Sequence, residues 1–228
     1  MNKRAWLIFL GSVAGGISAF LLAKAYQRAR KTCPPFCKQV YHSARELLDD
    51  LTSFWQEPAK LRSLQSNPSL TLSLATKLLL TVTGAYGCRS CGRLFSRYAQ
   101  EQGLEEKQVV SLLRGEVEFA TVDEAPALFF ARHYVEHGGH PDPDLVAQLV
   151  ERYGARTAQD IITYLRLLSV ANRVGNTFDA LLSRILGKPS PETTLWGELS
   201  VLLVFFFGIL PLVPVWGVRV KRASFRPI

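Results

Sequence analysis

Two uncharged apolar stretches bracket this sequence and constrain everything between them. Ala5 to Ala23 runs 19 residues without a charge, and Leu199 to Val218 runs 20. A bilayer-spanning helix needs about 17–25 residues, so both are read as transmembrane helices. Trp196 and Trp216 stand near the ends of the second stretch in the manner of interfacial anchors. Pro211 and Pro214 are tolerated in a span where freed carbonyls find partners. A buried core helix is the alternative for this stretch; its length and basic flank favour a span. The first stretch also has the form of a signal peptide, with a basic start and Ala23-Lys24-Ala25 as a small-x-small cleavage site. Signal cores run about 7–15 residues, and the greater length here favours an uncleaved anchor. Gly11, Gly15, Ala19 and Ala23 recur every four residues and give that helix one close-packing face.

The charge follows the same division. The formal net charge is +8, yet Lys3, Arg4, Arg219, Lys221, Arg222 and Arg226 flank the apolar stretches with no compensating acid. The remaining 21 basic residues face 19 acidic ones, so no basic face for nucleic acid is expected. The membrane is the expected partner, and integral membrane placement the expected location. Basic residues lie on both sides of each stretch, so the positive-inside rule leaves the topology open. A chain 48% hydrophobic and 20% charged is not a disordered one.

Between the stretches the periodicity is helical. Val40, Ala44, Leu47, Leu48, Leu51, Phe54 and Trp55 recur at three- and four-residue steps, and Pro58 with the stretch up to Pro68 ends that helix. Leu70 to Val82 reads as a denser apolar helix broken by Gly84 and Gly87. A helix opens near Cys88 and runs toward Gly103. Thr121 or Asp123 caps the next, which carries Pro126 and stops at Gly138-Gly139. Pro143 to Tyr153 is another, and a long helix runs from about Thr157 to Leu186. No alternating β pattern appears, so the class is all-α.

Cys88-Arg89-Ser90-Cys91 is a C-x-x-C at a helix start. This spacing lets two sulfurs reach disulfide distance, and exposed helix amides stabilise a thiolate. Arg89, Arg93 and Arg97 add positive potential. Thiolate attacks a disulfide or a peroxide, so the motif points to redox chemistry between Cys88 and Cys91. Two packed, reduced cysteines, or a zinc site, are the competing readings. Cys33 and Cys37 have three residues between them, two of them proline. They are open to a Cys₄ zinc site with Cys88 and Cys91, to palmitoylation, to a disulfide, or to no role in a rigid linker.

The chain resembles the carboxymuconolactone decarboxylase superfamily, in its AhpD-like, alkylhydroperoxidase-related branch. The likeness spans about Leu70 to Leu186. It rests on the C-x-x-C opening a helix, on Asp123-Glu124-Ala125-Pro126-Ala127-Leu128-Phe129-Phe130-Ala131, and on Asn172-Arg173-Val174-Gly175-Asn176-Thr177-Phe178. It implies an AhpD-like all-α bundle, here flanked by two transmembrane helices, that forms homo-oligomers. It further implies a redox-active disulfide Cys88–Cys91 with no other cofactor and no metal. A peroxide or protein disulfide would be the substrate, with a separate reductant. In the family the second cysteine, here Cys91, takes the oxidising attack and the first resolves it; helix-end physics would favour Cys88, but the family's order is the expectation followed. The corresponding domains are 1–25 (anchor or signal peptide), 26–68 (juxtamembrane linker and amphipathic helix), 69–190 (the AhpD-like domain), 195–218 (the C-terminal transmembrane helix) and 219–228 (a basic tail).

The departures are specific. The relay histidine four residues after the second cysteine is Phe95 here, and Leu70–Val82 holds no carboxylate for the relay glutamate. General acid assistance is worth about 10²–10⁴-fold, so slow peroxidase activity or plain thiol–disulfide exchange is expected. A catalytically silent interaction domain of the same fold is the alternative. Asn172, Asn176 and Asp179 form a polar stripe that lines either a cleft over the cysteines or an oligomer seam. Arg173 suits a salt bridge or an anion. His133, His137 and His140 have metal-ligand spacing on one helix face, but histidines in a last turn before Gly138-Gly139 suit the helix C-terminal dipole without any ligand, and that is the favoured reading.

Overall fold

The computed structural model describes residues 38–209. Nine α-helices account for the regular structure among them: α1 (Ala44–Gln56), α2 (Pro58–Ser66), α3 (Leu72–Tyr86), α4 (Arg89–Glu101), α5 (Glu106–Arg114), α6 (Ala125–Glu136), α7 (Pro143–Tyr153), α8 (Ala155–Ile185) and α9 (Leu195–Leu203). A π-helical turn, Val204–Ile209, continues α9. The described residues contain no strand.

Local chemistry sets most helix ends. Ser43 and Thr71 accept the amides of Glu46 and Leu74 as side-chain caps. Asp142 caps α7 ahead of Pro143. Gly87, at φ 60°, closes α3 in the left-handed conformation glycine adopts without a steric cost.

Two helices fall where the sequence pattern assigns none. Pro58 is the first residue of α2 rather than a terminator, since a proline at that position lacks an amide the helix would leave unpaired anyway. The short helix α5 is bounded by a reciprocal capping box between Glu105 and Gln108 and by Gly115. Gly84, read as a helix breaker, lies inside α3. A Cβ there would collide with the Leu113 backbone at the end of α5, so this glycine lets the two helices approach.

Helix α3 is the centre of the larger core. Its Leu78, Leu80 and Val82 pack with Leu112 of α5, Leu128 of α6, and Ile161 and Leu165 of α8. A second core joins α1, through Leu47, Leu51 and Phe54, to Val170 and Val174 of α8 and to Val201, Leu202 and Ile209. The 31-residue α8 takes part in both, and Asn67 and Ser63 fasten α2 to it through the buried Asp160.

This second core corrects the expected membrane spans. No helix among the described residues is long and apolar enough to cross a membrane. The described part of Leu199–Val218 belongs to a nine-residue α-helix and a six-residue π turn. Val201, Leu202 and Ile209 bury against protein. Glu198, in the first turn of α9, is fully buried, and Arg184 clasps it through Nε–Oε2 at 2.8 Å and Nη2–Oε1 at 2.9 Å. An apolar run serves a protein core as well as a bilayer, and part of this one serves a core. Among the described residues, integral membrane placement and the flanking spans of the expected fold are therefore not supported. Ala5–Ala23, Cys33, Cys37, Pro211, Pro214, Trp216 and the 219–228 tail lie outside the described residues.

Candidate functional site

Helix α4 starts directly after the Gly87 turn, with Cys88 as its N-cap. Cys88 Sγ accepts the Cys91 amide at 3.2 Å, a bond that a serine or aspartate oxygen makes at most helix starts. The first helical turn brings the two Cα atoms to 5.2 Å, and the cysteines are joined as a disulfide.

Both sulfurs rest on α8. Cys91 Sγ lies 4.0 Å from the Ala171 carbonyl oxygen. A Cβ at Gly175 would come within 2.7 Å of Cys88 Sγ and nearer still to Cys91 Sγ. Gly175 therefore leaves the gap into which the disulfide fits. Cys88 is 3% and Cys91 7% exposed.

The polar stripe of α8 is the surface on which the cysteine helix docks. Asp179, 4% exposed, accepts the Arg89 amide at 3.0 Å and the Ser90 amide at 3.3 Å through Oδ2. Its Oδ1 accepts the Ser90 hydroxyl at 2.5 Å. Four amides at a helix start lack intrahelical partners; Asp179 satisfies two of them from another helix. Asn176 Nδ2 donates to the carbonyls of Tyr86, at 3.2 Å, and Gln39, at 3.0 Å. Asn172 Nδ2 donates within its own helix to the Leu168 carbonyl at 2.9 Å. The Oδ1 atoms of Asn172 and Asn176 are buried without a hydrogen-bond partner. Asp179 and Asn176 thus adjoin the cysteine turn, and Asn172 follows the Ala171 carbonyl on which Cys91 rests.

The flanking cations divide by exposure. Arg89 is partly buried, whereas Arg93 and Arg97 point to solvent, which screens them. Phe95 packs on the larger core. Lys77, in the helix expected to hold a relay carboxylate, is paired with Glu124 of α6 at 2.6 Å. Burial acts to raise the Glu124 carboxyl, but Lys77 and the Thr121 amide and hydroxyl outweigh it and hold it below the usual range.

Other sequence-derived candidates lie apart from the cysteines. Arg173 makes a salt bridge, with Asp50 at 2.8 Å and Glu46 at 3.6 Å, and its guanidinium lies 3.9 Å over the Tyr41 ring. His133 and His137 stack at 3.8 Å, with their nitrogens engaged by the Asp142 amide and the His133 carbonyl. No group of three or more metal-ligating side chains occurs among the described residues.

Sequence reasoning gave no sign of a cleft of about 760 Å³ on the flank of α8 that carries Arg166, Ser169 and Arg173. At 100° per residue this flank is nearly opposite the one carrying Ala171, Gly175 and Asp179. Tyr86 and Tyr134 also line it. Burial pushes the Tyr134 hydroxyl up to about 12 and the Tyr86 hydroxyl up as well, so both remain protonated hydrogen-bond donors near neutral pH. No protein-family model, curated protein or solved structure matches the chain. The likeness to the AhpD-like branch rests on the quoted residues alone.

Proposed function

We propose that this chain is a thiol–disulfide oxidoreductase that cycles Cys88 and Cys91, an AhpD-like protein lacking that branch's proton relay. One observation carries the reading. The pair closes a disulfide across the first turn of α4, with the Cys88 sulfur accepting an amide of that turn and Gly175 leaving room for both sulfurs. A structural disulfide gains most by closing a long loop; a bond spanning three residues contributes little that way, which favours chemistry over bracing.

Cys88 Sγ, which accepts the Cys91 amide at the helix start, is taken as the attacking sulfur in place of the family's Cys91; in the oxidising half-reaction its thiolate attacks one sulfur of a substrate disulfide. The substrate S–S bond breaks, a mixed disulfide forms, and the first substrate thiolate leaves and takes up a proton. Cys91 loses its proton and attacks Cys88 Sγ, expelling the second thiol. Two electrons have passed to the substrate, and the Cys88–Cys91 bond has formed. An external dithiol reverses the sequence and restores the pair. A hydroperoxide would yield an alcohol and water by the same two-electron exchange, slowly, because Phe95 stands in the place of the relay histidine and α3 holds no carboxylate.

The low exposure of both sulfurs favours a second reading, a catalytically silent domain in which the pair stays closed. Turnover separates the two. Dithiothreitol-driven reduction of a small aryl disulfide is expected from the wild-type protein, with at least a hundredfold loss in Cys88→Ser and in Cys91→Ser. Equal rates in all three would overturn the proposal.

A further inference from the structure

The cysteine pair shares its helix terminus with a fixed carboxylate. At a bare C-x-x-C start, the unpaired amides and the helix dipole act on the sulfur alone and favour thiolate. Here that positive end is divided. Asp179 takes the Arg89 and Ser90 amides, leaving the Cys91 amide to Cys88 Sγ. Ser90 adds a short hydroxyl bond to the same carboxylate, which is buried and so only weakly screened by solvent. Nearby cations act in the opposite sense: Arg89 on α4, and Lys38, whose Nζ lies 3.6 Å from where a Gly87 Cβ would be. The hydroxyl of Tyr86 on α3 is held protonated by burial and contributes no charge.

We propose that Asp179 sets the redox poise of the Cys88/Cys91 pair, its negative charge disfavouring the Cys88 thiolate and so holding the equilibrium toward the disulfide. Reduction breaks the S–S bond with two electrons from a dithiol or from two glutathione molecules, and leaves Cys88 as thiol or thiolate. A neighbouring anion penalises only the ionised product, so it favours the oxidised pair. Asp179 acts here as a tuning residue that touches the helix amides and leaves substrate to the sulfurs. The inference rests on the redox reading of the pair.

Asp179→Asn in the full chain keeps an acceptor oxygen for the two amides and removes the charge. The readout is the alkylation rate of reduced Cys88 by iodoacetamide across pH, resolved by peptide mass spectrometry, together with the disulfide fraction in glutathione buffers. The variant is expected to hold about tenfold more Cys88 thiolate below the titration midpoint. In the ionised regime it is expected to shift the dithiol–disulfide equilibrium about tenfold toward dithiol, close to 30 mV for two electrons. Ser90→Ala keeps the charge and removes the hydroxyl that partly neutralises it, so about threefold less thiolate is expected. A folded Asp179→Asn with the wild-type alkylation profile overturns the proposal. Should that variant not fold, unchanged or increased thiolate in Ser90→Ala overturns it instead. Failure of the redox reading looks different: wild-type Cys88–Cys91 would form no disulfide in any glutathione buffer, whatever the alkylation profiles show.

Discussion

Gly175 decides whether the two sulfurs can lie where they do. It sits in the middle of α8, where glycine costs about 1 kcal/mol relative to alanine through backbone entropy. That cost is offset by the docking of α4, because any Cβ would overlap both sulfurs. Gly175→Ala is expected to lower stability by about 1–3 kcal/mol, as overpacking does, and to slow closure of the Cys88–Cys91 bond; urea denaturation and thiol trapping measure the two effects. The C-x-x-C was legible in the sequence because its spacing is local. Asp179 was legible only as part of a polar stripe. Its partners are the amides of Arg89 and Ser90, 90 and 89 residues earlier, and no local pattern encodes so distant a pairing.

Among the elements, α3 and α6 are fastened by a charged clasp as well as by Leu78, Leu80 and Leu128. Lys77 holds Glu124, and Thr121 donates to the same carboxylate through its amide and hydroxyl. The Glu124 carboxyl is held below its ordinary value in the folded state. A depressed carboxylate stabilises the fold above its unfolded-state pKa, and that contribution is lost as pH falls through the folded-state value. Glu124→Gln is therefore expected to cost about 2 kcal/mol near neutral pH, in the range of a hydrogen bond to a charged group, and less in acid. Thermal melts at neutral and acidic pH should show the two proteins converging; a difference independent of pH would contradict the assignment. Most long helices were legible from apolar periodicity. The short helices α2 and α5 were not; at nine residues each they carry too few turns for a pattern. Their signals were a proline at a first position and a capping box. Gly84 misled because a glycine needed for close helix approach has the same letter as one that ends a helix.

At the scale of the whole molecule, the C-terminal apolar run is divided between a packed core and residues beyond 209. Composition does not distinguish burial against protein from burial in lipid, since both select the same side chains. The distinguishing feature is Glu198, a carboxylate in the first turn of α9 that is satisfied by Arg184 and the Thr193 hydroxyl. Breaking a buried ion pair by removing one partner costs about 3–5 kcal/mol. Glu198→Ala is expected to destabilise the fold by that amount, seen as a lower denaturation midpoint. A loss below about 0.5 kcal/mol, the range of an ordinary surface substitution, would contradict the packing of α9 described here.

Everything functional in this account depends on Cys88 and Cys91 exchanging electrons as a pair. The most direct measurement equilibrates the full-length protein in glutathione buffers of defined potential, traps free thiols and identifies the Cys88–Cys91 linkage by peptide mass spectrometry. A single two-electron transition between about −120 and −300 mV, the span of known exchange proteins, is the expected result. Free thiols on both cysteines at every buffer ratio, or glutathione adducts with no Cys88–Cys91 bond, would contradict it.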